Sequence, residues 1–127
     1  MRFLTITAGL SLSCLAFAAS AGPAGKTLSG AEAAASPYAA MTLGCFKAIG
    51  YGDTAGIAAS FTPEGVEKIR QLRETPFYFE LKKLARAAAK GSAREVVVND
   101  EAVQVALDQD MGKMVLQRIG ADWKCGV

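Results

Sequence analysis

The chain has 127 residues, with 14 Lys and Arg against 12 Asp and Glu, no histidine, and a formal net charge of +2. So small a positive excess argues against the broad basic face that nucleic-acid binding requires. The absence of histidine removes the commonest general base and metal ligand, and with it Ser-His and Cys-His nucleophile activation.

The opening segment, MRFLTITAGLSLSCLAFAASAGPAG, sets Arg2 before an uncharged apolar run from Phe3 through Ala18 and ends in small residues. This is the layout of a secretory signal peptide over residues 1–21, cut after Ala19-Ser20-Ala21, or alternatively after Ala16-Phe17-Ala18. Two other readings stay open. A retained anchor needs roughly 20 strongly apolar residues, and this run is rich in Ala, Ser, Thr and Gly and meets a Gly/Pro break. A lipoprotein would use Cys14, but Ser11 stands where Leu is usual and the apolar run continues past the cysteine. Loss of the leader removes Arg2 and leaves 13 basic residues against 12 acidic ones. The expectation is a nearly neutral, periplasmic or secreted chain with no stable membrane span, about a hundred residues long and so one small domain with a modest core.

Residues 22–35 are Gly, Ala, Ser and Pro with little large apolar content, and read as a flexible lead-in to a domain over 36–127. Ser36-Pro37 is an N-cap and first-turn pair. Tyr38, Met41, Cys45 and Ile49 then recur at steps of three and four, as on one helix face. Asp53-Thr54 caps a short helix to Ser60, closed off by Phe61. Thr62-Pro63-Glu64 opens a third helix presenting Val66, Ile69 and Leu72, with a carboxylate where the helix dipole favours it. Thr75-Pro76 opens a fourth, with Phe77, Leu81, Leu84 and Ala88 as its apolar stripe and Gly91 as its stop.

After Gly91 the period becomes alternating. Val96-Val97-Val98, AVQVAL, KMVLQRI and WKCGV read as four strands joined by short turns, hence an antiparallel meander. The class is α+β, with helices on one face of a four-stranded sheet. Placing Asp108 across from Lys113 sets Val105 opposite Leu116, Val103 opposite Arg118, and Gln104 opposite Gln117. Val103, Val105, Leu107, Met114 and Leu116 then share one face and the glutamines the other. In the last hairpin, Arg118 opposite Trp123 sets Leu116 opposite Cys125 and brings Trp123 and Cys125 to the buried face.

An exported chain meets oxidising conditions, in which a pair such as Cys45 and Cys125 closes. Closing a loop of about 80 residues stabilises a fold by roughly 4 to 5 kcal/mol in the chain-entropy picture. The alternatives are two buried free thiols or a bridge to a partner. Two cysteines so far apart in sequence make a poor zinc set, and no glycine loop for phosphate is present; no metal and no cofactor is expected.

Three pairs could be imagined as acid and base: Asp53 with Tyr51, Glu80 with Tyr78, and Asp108 with Asp110. Each carboxylate has a local use instead, as a cap, a solvated helix position or a turn flank, so no catalytic residue is assigned. Lys82, Lys83, Arg86 and Lys90 form a mildly basic, solvated helix face. Arg118 is the odd polar group on the apolar sheet face, able to stack on Trp123 or to reach solvent.

The run CFKAIGYGDTAGIAASFTPEGVEKI, with its Gly52-Asp53 and Phe61-Thr62-Pro63, resembles the opening helices of small NTF2-like proteins. The ending IGADWKC, with Trp123-Lys124, is similar to the last strand of that family, in particular its exported DUF4878/lumazine-binding-like group; the resemblance spans about residues 37–127. It implies a cystatin-like cone, a curved antiparallel sheet wrapped around helices, able to hold a ligand. NTF2-like enzymes place an Asp base and a Tyr donor in the cone. Here the inner positions are Val, Leu, Met, Trp and Cys, so an apolar or filled cone is implied. The expected function is non-enzymatic binding of a small apolar ligand or an envelope protein, by a monomer or a homodimer. The expected lining is Tyr38, Met41, Phe77, Leu81, Leu116 and Trp123, with Arg118 as the polar group. The alternative from another class is a periplasmic inhibitor or immunity protein against a secreted cell-wall enzyme.

Overall fold

The computed structural model describes residues 25–108 and 112–126. The expected leader, its cleavage sites and Cys14 lie outside the described residues, as do residues 109–111 of the second expected turn. Ten elements follow in order: β1 (Lys26–Ser29), α1 (Gly30–Ala34), α2 (Pro37–Gly50), α3 (Thr54–Ser60), α4 (Pro63–Arg73), α5 (Phe77–Ala89), β2 (Ala93–Val98), β3 (Ala102–Leu107), β4 (Lys113–Ile119) and β5 (Asp122–Gly126). No described helix is long and apolar enough to cross a membrane.

The helices start where side chains can satisfy orphan N–H groups. Ser36 Oγ accepts from Ala39 N at 3.1 Å, Asp53 from Gly56 N at 3.0 Å and Thr62 from Gly65 N at 3.0 Å; such caps contribute about 1 kcal/mol each. Thr75 departs from this pattern. Its hydroxyl donates to Leu72 O at 2.7 Å and so closes α4, while α5 begins at Pro76 with no side-chain cap.

The sheet is antiparallel and runs β1-β2-β3-β4-β5, five strands where four are expected. The extra strand comes from the segment expected as lead-in: Leu28 pairs with Val96, and Ala33 on α1 is fully buried. Its small, weakly apolar residues carry little pattern. A strand added to a sheet edge is held by backbone hydrogen bonds, which composition does not report.

The β3–β4 ladder is shifted by two residues from the expected register. Val105 faces Met114, Val103 faces Leu116 and Gln104 faces Val115. Side chains alternate with period two, so the shift leaves every face assignment intact. Its cause is Asp108, whose N–H donates to Ser92 O at 3.0 Å and whose carboxylate accepts from Ser92 N at 3.2 Å. This ties the end of β3 to β2 rather than to Lys113. The last hairpin has the expected pairing, Arg118 with Trp123 and Leu116 with Cys125.

Val96, Val103, Val105, Leu116 and Cys125 form the fully buried inner face of the sheet. α2 lies across β2 to β5, and α5 packs on α2. The stripes expected on these helices are rotated. Met41, Phe77 and Leu84 are 39, 51 and 49% exposed, while α2 buries Ala39, Thr42, Cys45, Ala48, Ile49 and Gly50, and α5 buries Ala85 and Ala88. The helices meet through small residues, which let their axes approach closely. At Gly50 a Cβ would stand 2.6 Å from Arg86 Cγ and 2.9 Å from Arg86 N, and Arg86 donates to Gly50 O at 2.7 Å. Gly50→Ala should therefore destabilise the fold by about 2 kcal/mol through overpacking against backbone, read as a lower urea midpoint; an unchanged midpoint would show that the contact can relax.

Cys45 and Cys125 form a disulfide between α2 and β5, closing a sequence separation of 80 with Cα atoms 6.7 Å apart. A loop of that length contributes about 4.5 kcal/mol in the chain-entropy picture. Cys125→Ser, or reduction, should lower the melting temperature far more than a surface substitution does, and thiol labelling of the native protein should find neither cysteine.

Candidate functional site

Two grooves flank the point where α2 crosses the sheet. The smaller, about 220 Å³, lies over the disulfide and is lined by Met41 and Gly44 of α2, Ala59 and Ser60 of α3, Leu116 and Trp123 of the sheet, and the two cysteines. Trp123 is half-buried, with the Tyr38 ring edge-on at 5.9 Å and the Arg118 guanidinium 4.9 Å from its centroid. The register explains this placement: Arg118 faces Trp123 directly across the β4–β5 ladder, so the cation covers the ring.

The larger groove, about 530 Å³, lies where α2, α5 and β4 converge. Phe46, Ile49, Phe61, Leu81 and Met114 supply its apolar side chains, joined by Val115, and Lys113, Gln117 and Gly126 complete it. The described β4–β5 ladder ends at Val115–Gly126, and among the described residues Met114 and Lys113 pair with Val105 and Ala106 of β3.

The seven residues expected to line one cavity are thus divided. Tyr38, Met41, Leu116, Arg118 and Trp123 gather at the smaller groove, although Leu116 is wholly buried and serves the core. Leu81 lines the larger groove, and Phe77 lines neither and stands half out in solvent at the start of α5. Phe46, Ile49, Phe61, Met114, Lys113 and Gln117 are the lining that the sequence expectation omits. Phe61 reads from sequence only as the stop of α3, and Phe46 lies one residue off the stripe through Cys45. Extending the Arg118–Trp123 register to Val115–Gly126 is the sequence signal that locates the sheet corner.

The carboxylates considered as catalytic partners have structural uses. Asp53 caps α3, Glu80 lies 3.8 Å from the Lys83 ammonium on the exposed face of α5, and Asp108 holds Ser92. On α4, the hydrogen bond from Arg70 holds the Glu67 carboxyl below its usual range, with a further one from Gln71. This pair is exposed and lines neither groove, as expected of a solvated helix pair. Among the described residues no three His, Cys, Asp or Glu side chains converge on a metal position.

No family model, curated protein or solved structure matches this chain. What the coordinates define is a class: an α+β domain whose helices lie on one face of an open antiparallel sheet, stapled by one disulfide, with an apolar groove at the sheet corner.

Trp123 is the sole tryptophan, so its emission reports on the smaller groove alone. Removal of the covering cation in Arg118→Ala should raise the acrylamide quenching constant of Trp123 by about half while lowering the melting temperature by no more than about 5 °C, because an exposed pair of this kind contributes at most about 1 kcal/mol. Unchanged quenching would mean that the guanidinium does not shield the ring in solution.

Proposed function

We propose that this chain is an exported NTF2-like domain that binds a small apolar ligand, without catalysing a reaction, in the groove between α2, α5 and β4. The observation that carries the reading is the convergence of Phe46, Ile49, Phe61, Leu81 and Met114 from four segments around about 530 Å³. That volume lies within the roughly 300 to 1,000 Å³ usual for small-ligand sites, and an apolar wall with few polar groups is the usual lining. The order of elements, helices packed on a following antiparallel meander, supports the NTF2-like assignment as far as class. A disulfide between helix and sheet supports export, since such bonds persist in oxidising compartments. Neither groove gathers a base, a nucleophile and an oxyanion donor in catalytic relation. This supports binding over catalysis.

The test is titration with a neutral apolar dye, 1-aminoanthracene, followed by its emission. One saturable site is expected, and Leu81→Gln should weaken it at least about fivefold by removing apolar contact of roughly 1 kcal/mol or more, in a variant whose far-ultraviolet circular dichroism is unchanged. Equal affinity in the folded variant, or loss on Met41→Gln instead, would place the dye elsewhere and count against the reading.

A further inference from the structure

We infer that the outward face of α5 docks on an anionic lipid bilayer, with Phe77, Phe79 and Leu84 entering the headgroup boundary and Lys83 and Lys90 meeting the phosphates. These five side chains line neither groove, so the inference stands apart from the ligand reading above.

Charge is segregated along the chain. From Glu67 to Lys90 there are seven Lys and Arg against three carboxylates, whereas the rest of the sequence holds seven against nine. Two of those three carboxylates are engaged by cations: Glu67 pairs with Arg70, and Glu80 lies 3.8 Å from the Lys83 ammonium. The end of α4 and the whole of α5 thus form a locally cationic part of a nearly neutral chain.

Apolar exposure is concentrated in the same place. Among the described residues six large hydrophobic side chains are exposed, and three of them are on α5: Phe77, Phe79 and Leu84, at 51, 64 and 49%. By helical spacing Phe77 and Leu84 share one line, and Phe79, Lys83 and Lys90 share another roughly a third of a turn away. Glu80 and Ala87, both exposed, lie between the two lines. The preceding turn, Glu74-Thr75-Pro76, is exposed as well, so this face runs out to the end of the helix.

Rings and cations are interleaved there: the Lys83 ammonium lies 5.6 Å from the centroid of the exposed Phe79 ring. A ring and an ammonium that point outward together call for a partner that is apolar at one depth and anionic at another. A bilayer surface has that layering. Its acyl boundary takes Phe and Leu side chains, and its anionic headgroups take Lys and Arg. A soluble polyanion would meet the lysines and leave the rings wet, while an apolar surface would leave the lysines without counter-charge.

The test is co-sedimentation with vesicles of phosphatidylcholine, with and without phosphatidylglycerol. The protein should bind the anionic vesicles at least about tenfold more tightly than the neutral ones, and high salt should remove most of that difference. The double variant Phe77→Ser, Phe79→Ser should lose about tenfold or more on anionic vesicles, and so should Lys83→Glu, Lys90→Glu. All four side chains are exposed, so circular dichroism should stay unchanged in both. Every comparison is between variants with the same N-terminus, so an apolar leader contributes equally to each. In Phe79→Trp, the added emission should be quenched by phosphatidylcholine brominated on its acyl chains and mixed with phosphatidylglycerol. Equal binding to neutral and anionic vesicles, no binding to either, or no quenching in Phe79→Trp overturns the proposal. Full affinity in the folded Phe double variant, with loss only on charge reversal, overturns it too and identifies the face as a dock for a polyanion such as an acidic protein.

Discussion

β5 is five residues long and lies at the edge of the sheet, with a ladder to β4 on one side only. A short edge strand near a terminus is the part of a small domain most prone to fray and to recruit stray strands. Three attachments prevent this here, and all come from the helical half of the chain. The Cys125 sulfur is bonded to Cys45 on α2, its carbonyl accepts from Thr62 N at 2.9 Å, and the neighbouring Lys124 reaches Ala59 O. Phe61 forms a parallel bridge to Cys125, so the turn between α3 and α4 acts as a partial sixth strand. Sheet and helices therefore cannot separate at this edge without breaking a covalent bond, and both grooves are bounded by that junction.

The second constraint is volume. α2 is sandwiched between the sheet and α5, and its buried positions are mostly small: Ala39, Thr42, Cys45, Ala48 and Gly50. A helix in the middle layer of so thin a domain has little room for leucine or phenylalanine on either side. The large side chains are consequently displaced to the rims, where Phe46 and Leu81 flank one groove and Met41 and Trp123 the other. Grooves of this kind follow from a core rich in alanine, whose small volume cannot extend the packing to the edges of the layers.

The same fact explains what was legible in the sequence. The caps at Ser36, Asp53 and Thr62, the order of the four longer helices, the α+β class, the last hairpin's register and the disulfide could be read, because each depends on a strong local signal or on the parity of a strand. The helix stripes could not. Periodicity gives weight to large apolar residues, so Met41, Phe77 and Leu84 were grouped with Cys45, Ile49 and Ala88, which are buried, while Ala39, Ala48 and Ala85, which are buried too, carried no weight. β1 was hidden for a related reason: its hold on β2 is a backbone ladder, and its side chains other than Leu28 say little. The division of the expected site into two grooves was equally out of reach, since it depends on how far α2 is rotated about its own axis.

That rotation also assigns the roles of the two grooves. The aromatic cluster over the disulfide is closed on itself, with Tyr38 against one side of Trp123, Arg118 over its face, and Leu116 already spent on the core. Its ring surfaces are taken up by each other, and a ligand would have to displace those contacts in order to enter. At the sheet corner Phe61 and Ile49 likewise belong to the core, but the half-buried Phe46, Leu81 and Met114 beside them line open space. Binding there requires only the expulsion of water from apolar surface, which is favourable by roughly 25 cal/mol per Å². The smaller groove, with the better-looking residues in sequence, is thus the more structural of the two, and the larger one is the better placed to bind.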